Sequence, residues 1–219
     1  MSQLNPNDFI IAKKRKLYKF ALFHNSPFCF EVEEWKNTTS PVVLEMGAGT
    51  GLFSVACAVL RPEEQVLAVD VKADRLQAGA ALAYSKQLKN LRFLRARADQ
   101  LPELLTPHSL KSLWVTFPDP FPKERSAKHR LTHPQYLKIY EMLLQKDGAL
   151  YFKTDAKALF DWSLEQLVAE GWKIDELSFD LHESLLSEAY KVKTTYETRY
   201  MNEGIKINFV KAMPPLDSY

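Results

Sequence analysis

The chain has 219 residues, of which 46% are apolar and 12% aromatic, which suits one ordinary folded domain with a sizeable core and excludes a disordered chain. A formal net charge of +2 excludes a global field built for a polyanion, and the cations are instead gathered into two blocks, Lys13–Lys16 with Lys19 nearby and the segment 123–130. Cys29 and Cys57 lie in apolar surroundings without metal-ligand spacing, and no apolar run approaches ~18 residues. The expectation is therefore free thiols in a reducing compartment, no metal, no membrane span and a cytoplasmic protein.

Residues 1–40 carry no clear period, and their basic block reads equally well as an arm that contacts RNA or as a solvated tail. The first sharp signal is Val42-Val43-Leu44, a short buried-strand run, followed by Glu45-Met-Gly-Ala-Gly-Thr-Gly51. Leu52–Leu60 then reads as a helix ended by Arg61-Pro62. Strand, glycine turn and helix open a nucleotide-binding α/β unit, because glycines at 47, 49 and 51 permit a tight turn and let a ligand approach backbone N–H groups. A second strand, Gln65–Val69, delivers Asp70, whose carboxylate can accept hydrogen bonds from a ribose diol. The dinucleotide fingerprint fails, since its third small residue would fall on Leu52. Glu45, at the strand end itself, would repel a pyrophosphate but suits a ligand that carries an amino group and a sulfonium. S-adenosylmethionine is the cofactor that fits.

Lys72–Lys89 has a helical pattern weakened at Gly79. Leu91–Arg97 is a third strand, and Asp99 after it resembles the acid that S-adenosylmethionine folds often set against the adenine amino group; it is equally placed to cap a helix beginning near Leu101-Pro102, and the two roles are compatible. The strand Leu113–Phe117 runs into Pro118-Asp119-Pro120-Phe121-Pro122, where three prolines forbid both helix and sheet pairing and leave Asp119 little backbone freedom. Lys123, Arg125, Lys128, His129 and Arg130 follow at once. Tyr136–Leu144 reads as helix, Gly148 breaks it, and Ala149–Lys153 is a fifth strand ending in Thr154-Asp155. Lys157–Glu170 is a helix stopped by Gly171, and Trp172–Phe179 is a strand with polar alternation. Thr194–Val210 reads as two β segments around Asn202-Glu203-Gly204, a hairpin turn. Trp114 and Tyr136 are expected in the core. The alternation gives a doubly wound, mostly parallel sheet of about seven strands with helices on both faces and an antiparallel C-terminal hairpin. Glu45, Asp70, Asp99, Asp119 and Asp155 all fall at the carboxyl ends of strands, where ligands of such sheets bind.

Pro118-Asp-Pro-Phe-Pro-Lys123 with 125–134, the Thr154-Asp155 pair, and Thr194-Thr-Tyr-Glu197 followed by Gly204 together resemble the bacterial tRNA (guanine-N7-)-methyltransferases, over roughly residues 41–212. The resemblance implies a Rossmann-like class I methyltransferase domain at 41–212, with 1–40 as an N-terminal arm and 213–219 as a tail. It implies S-adenosylmethionine as cofactor, tRNA as partner and N7 of the variable-loop guanine at position 46 as target. It also implies cofactor contacts by Glu45, Gly47, Gly49, Gly51, Asp70, Asp99 and Asp119, with Asp119 catalytic. Lys123, Asp155, Thr194 and Glu197 match substrate contacts, and Arg125, Lys128, His129 and Arg130 an RNA-contacting stretch. Phe121 stands where the family usually has Trp, which keeps aromatic bulk and loses an indole N–H.

Three rivals are weighed against this reading. An amino-group methyltransferase would show N/D-P-P-Y/F after the fourth strand, whereas here proline precedes the acid and only one follows it. A methyltransferase for a small molecule would not need the basic run at 123–130, and another RNA remains open as acceptor. A non-catalytic RNA-binding module would not need Glu45, the glycine turn and Asp70. No protein partner is indicated.

Overall fold

The computed structural model describes residues 14–35, 40–193 and 195–215. Its centre is β2 (Val43–Met46), which is buried at every position and so reads as a continuous apolar run interrupted only by Glu45. The chain continues through α2 (Leu52–Leu60), β3 (Val66–Asp70), α3 (Ala73–Ser85), β4 (Leu91–Arg95), the single turn α4 (Leu101–Leu104) and β5 (Leu110–Thr116). Then come α5 (Pro134–Leu143), β6 (Leu144–Thr154), α6 (Lys157–Ala169), β7 (Lys173–Ser178), α7 (Thr195–Asn202) and β8 (Asn208–Met213). Before β2 lie α1 (Lys14–His24) and β1 (Cys29–Glu31), inside the stretch whose sequence gave no clear period.

The sheet has eight strands in the order β1-β4-β3-β2-β5-β6-β8-β7. Pairs from β1 to β6 are parallel, and β8 runs antiparallel to both β6 and β7. The extra strand is β1, which pairs with β4 at the edge, while α1 packs on α3 beside it. The strand order turns outward from β2 in both directions, so the crevice between β2 and β5 is the topological switch point. The core fills both faces. Leu44, Leu67, Leu113, Leu150 and Phe152 pack against α4, α5 and α6 on one side, and Phe93 and Trp114 pack with α2 and α3 on the other. Trp114 is core as expected, with its indole stacked on Tyr151 at 4.3 Å; Tyr136 is only partly buried and faces a cavity.

The C-terminal region corrects one expectation. Asn202-Glu203-Gly204 is not a hairpin turn but the end of α7. Gly204, at φ +72°, takes the left-handed position that closes a helix, with its N–H on the Met201 carbonyl at 3.0 Å and the Ile205 N–H on the Tyr200 carbonyl at 2.9 Å. The antiparallel partners β7 and β8 are joined by a long excursion through α7 rather than by a tight turn. Gly148 likewise lies inside β6, which begins directly after α5 and carries a register shift against β5. Among the described residues no helix is long and apolar enough to cross a membrane.

Candidate active site

At the switch point two cavities, each of about 420 Å³, open side by side at the carboxyl ends of the strands. The first is lined by Glu45, Gly47, Gly49, Thr116, Asp119 and Asp155 among others, so the turn after β2 meets the acids after β5 and β6 in one space. The second is lined by Asp70, Lys72, Ala98, Phe121, His129 and Tyr136 among others. Gly47, Arg75, Phe117, Pro118 and Asp119 border both.

Glu45 is the buried acid of the site, 2% exposed. Its Oε2 accepts from the Ser54 N–H at 3.1 Å and the Ser54 hydroxyl at 2.6 Å, and its Oε1 accepts from the Thr116 hydroxyl at 2.6 Å. One carboxylate thus ties β2 to the first turn of α2 and to the end of β5, where the helix dipole favours negative charge. Burial pushes its carboxyl up from 4.5 to about 7, held from rising further by those three donors. The stability this group contributes is fully present below its unfolded value near 4.5 and is lost as pH rises through about 7. The loss amounts to roughly 3 kcal/mol. Glu45→Gln should flatten this slope: urea unfolding without cofactor should find the variant matched to the parent at pH 5 and more stable at pH 8. Equal slopes for the two proteins would show that burial does not govern the group.

Asp70 is held by backbone donors, the Gly49 N–H on Oδ2 and the Lys72 N–H on Oδ1, both at 2.8 Å. Each oxygen accepts one of these bonds and keeps a further lone pair, and the residue borders the second cavity. The turn it holds runs left-handed at Gly47, Gly49 and Gly51, with φ between +56° and +76°. At Gly49 nothing lies within 4 Å of where a Cβ would stand, so this peptide is open to the cavity. Gly51 instead packs under Phe93 and borders neither cavity. Asp119 is 68% exposed at the wall between the cavities, with the Lys72 ammonium 3.6 Å from its Oδ2.

Not every expected residue joins this group. Asp99 is exposed, borders neither cavity and is clasped by the Arg97 guanidinium through two bonds of 2.9 and 3.0 Å, which hold its carboxyl below the usual carboxylate range. It does not cap α4 either, whose N-cap is Gln100. Lys123, Arg125 and Lys128 are exposed around a 3₁₀ segment, Glu124–His129. Arg130 turns inward, where its guanidinium holds the Phe121 carbonyl at 3.0 Å and lies 4.4 Å from the Trp162 ring. His129 packs beside the Phe121 ring at 5.6 Å. Thr194 lies outside the described residues. Glu197 has no exposed surface: it is sealed behind the first cavity against Lys153 at 2.8 Å and His182 at 2.9 Å.

Comparison with known proteins bears on this geometry. A model of the family described as "Putative methyltransferase" matches residues 39–210. The tRNA (guanine-N(7)-)-methyltransferase of Cytophaga hutchinsonii is 40% identical over 81% of this chain and 82% of its own length. The chain belongs to this family of methyltransferases. A second member, from Brevibacillus brevis, is 35% identical over 90% of this chain and 92% of its own. Among solved structures, the 16S rRNA methyltransferase KamB superposes with a TM-score of 0.60 at 18% identity, covering 84% of this chain and 92% of that one. The 16S rRNA (adenine(1408)-N(1))-methyltransferase from Catenulisporales acidiphilia gives 0.57 at 13% identity, over 98% and 95%. These two share the fold, an α/β class I methyltransferase sheet.

The cofactor of the family is S-adenosylmethionine, and the residues here fit it. The open peptide at Gly49 leaves room for a ligand against the turn, Asp70 offers lone pairs for a ribose diol, and the buried Glu45 carboxyl borders the first cavity.

Several residues around these cavities carried no sequence signal that singled them out. Thr116 and Ser54 were ordinary members of a strand and a helix, yet they hold Glu45. Phe117 and Tyr200 form cavity wall. Gly79, read as a weak point of α3, is where that helix touches the turn: a Cβ there would stand 2.4 Å from the Thr50 carbonyl oxygen and 2.7 Å from the Phe93 ring. Gly79→Ala must displace the turn, since that oxygen belongs to backbone. The expected result is a loss of ~1–3 kcal/mol in unfolding free energy and about tenfold weaker cofactor binding by calorimetry. Unchanged cofactor affinity would mean that the turn is not braced by α3.

Proposed function

We propose that this protein transfers the methyl group of S-adenosylmethionine to N7 of a guanine in tRNA, in the cytoplasm, with the variable-loop guanine at position 46 as target. The observation that carries this reading is the first cavity, where Asp119 and Asp155 border the same space as Glu45 and the glycine turn. Guanine N7 has a lone pair and no proton, so its attack needs no general base. What the reaction needs is alignment, and holding two reactants in line can remove ~7–11 kcal/mol of a barrier.

When bound, the cofactor supplies an electrophilic methyl on a sulfonium and keeps the bonding pair as the methyl leaves. The chain's own residues do the rest. Glu45, Asp70 and the Gly49 turn hold the ligand, with Asp99 at the outer margin of that site. Asp119, fixed between two prolines at the junction of the cavities, faces the purine as positive charge moves onto it. Asp155 accepts from N1 and N2 of guanine, donors that adenine cannot reproduce. Glu197 with Lys153 braces the wall behind the base, and Thr194 lies on the same segment. Lys123, Arg125 and Lys128 meet phosphates around the mouth, while Arg130 fixes the loop that presents them.

The test is incubation of the purified protein with labelled cofactor and unmodified tRNA transcripts, followed by mapping of N7-methylguanine through mild reductive cleavage. Cleavage at the variable loop is expected, and its loss in a transcript with adenosine at that site. Label in another base, or none in tRNA, would overturn the reading.

A further inference from the structure

Resting on that reading, we propose that Phe117 and Tyr200 form an aromatic floor against which the acceptor purine lies, and that the ring of Tyr200 shares the positive charge created by N7 methylation. Both side chains border the first cavity together with Asp119 and Asp155. Their ring centroids are 5.9 Å apart with planes inclined at 40°. A base sandwiched between two rings needs about 7 Å, twice a ~3.5 Å contact, so the pair is a floor and not a slot. The Arg199 guanidinium, paired with Glu203, lies 5.0 Å from the Tyr200 ring, so the base meets the part of that ring which borders the cavity beside Phe117.

Two features make this floor a built one. Phe117 sits at φ +48°, a left-handed backbone that is costly for a phenylalanine, and is held there by its N–H on the Lys153 carbonyl at 2.8 Å. Strain of that kind aims the ring where the strand alone would not. Tyr200 rides on α7, one turn from Glu197, whose carboxylate is anchored on the buried Lys153 ammonium at 2.8 Å. Both rings are thus set from behind by one residue of β6.

The chemistry gives the rings a role beyond contact area. As N7 bonds to the methyl, the carbon–sulfur bond breaks, its electron pair stays on sulfur, and the purine gains one positive charge. A neutral aromatic face attracts such a cation more strongly than the uncharged base, so its help grows along the reaction. Attractions of this type correspond to about 2- to 30-fold in rate.

The experiment varies the electrons of the ring and not its shape. Tyr200→Phe is the unfluorinated reference, and its single-turnover rate on tRNA is the rate against which the series is read. Replacing the same side chain with mono-, tri- and pentafluorophenylalanine should slow the chemical step progressively, to about 10- to 30-fold in the last. Cofactor affinity and melting temperature should hold, and affinity for unmodified tRNA should hold or tighten. Affinity for N7-methylated tRNA should fall along the series. A single-turnover rate indifferent to fluorination would overturn the proposal. If the parent protein makes no N7-methylguanine, the functional reading itself fails; a flat series on an active parent removes only the aromatic floor.

Discussion

Asp119→Ala is expected to slow methyl transfer by on the order of 10²- to 10³-fold while cofactor binding survives in part. The position explains both halves of that result. Asp119 borders both cavities, which in the proposed reading is where the methyl crosses from one ligand to the other. Pro118 and Pro120 fix the backbone on either side, so the carboxylate is oriented before any ligand arrives. Its neighbour Lys72, at 3.6 Å, balances the charge in the resting site without burying it. Positive charge leaves sulfur and appears on the purine during transfer, and a fixed carboxylate at the junction stabilises that arrangement without having to move. In the proposed reading cofactor binding depends more on Glu45, Asp70 and the glycine turn, which the substitution does not touch. Single-turnover rates and calorimetric titration separate the two. A variant with near-normal turnover would remove Asp119 from the reaction, and one with full loss of cofactor affinity would make it a binding residue alone.

How far the sequence foretold this site depends on how local each signal was. Glu45, Gly47, Gly49 and Asp70 were legible because strand, turn and helix follow one another within a few residues and each has its own period or breaker. Asp119 and Asp155 were legible for the same reason, as polar residues at the ends of apolar strands. The segment 195–202 was not. Its threonines and tyrosines favour strand by composition, and a strand would set Glu197 and Tyr200 on opposite faces. In the helix they are three residues apart and neighbours: Glu197 turns to the interior and Tyr200 to the cavity. What decides between the two is the buried Lys153, forty-four positions away, a contact no local window contains. Arg130 shows the same limit. As one cation in a run it reads as a phosphate ligand, but Trp162 and the Phe121 carbonyl claim it. Gly79 was read for helix propensity, when what matters is the oxygen of Thr50 packed against it.

Lys153→Met should cost about 3–5 kcal/mol of unfolding free energy, because it strands the buried Glu197 without its cation. The Lys153 ammonium lies wholly inside the protein. It donates to Glu197 Oε2 at 3.0 Å and to the Tyr190 and Val192 carbonyls, each at 3.1 Å, with Glu197 Oε1 paired to it at 2.8 Å. Burial pulls its ammonium below the usual lysine range, and the Glu197 charge opposes that pull. A loss of this size is a large share of the ~5–15 kcal/mol that holds an ordinary domain together. Lys153→Met combined with Glu197→Met should recover part of it, since an apolar pair can replace a buried ion pair at little cost. The remainder belongs to the two carbonyls left without a donor and to His182, which loses the Glu197 oxygen at 2.9 Å. Urea unfolding of the two variants measures this, and a loss under ~1 kcal/mol for the single change would place the pair in contact with water. In the double variant α7 has lost its anchor, so the Michaelis constant for tRNA should rise several-fold more than the cofactor dissociation constant. That asymmetry follows from what the network holds: it anchors the helix that carries Tyr200, whereas the glycine turn has its own bond to Asp70.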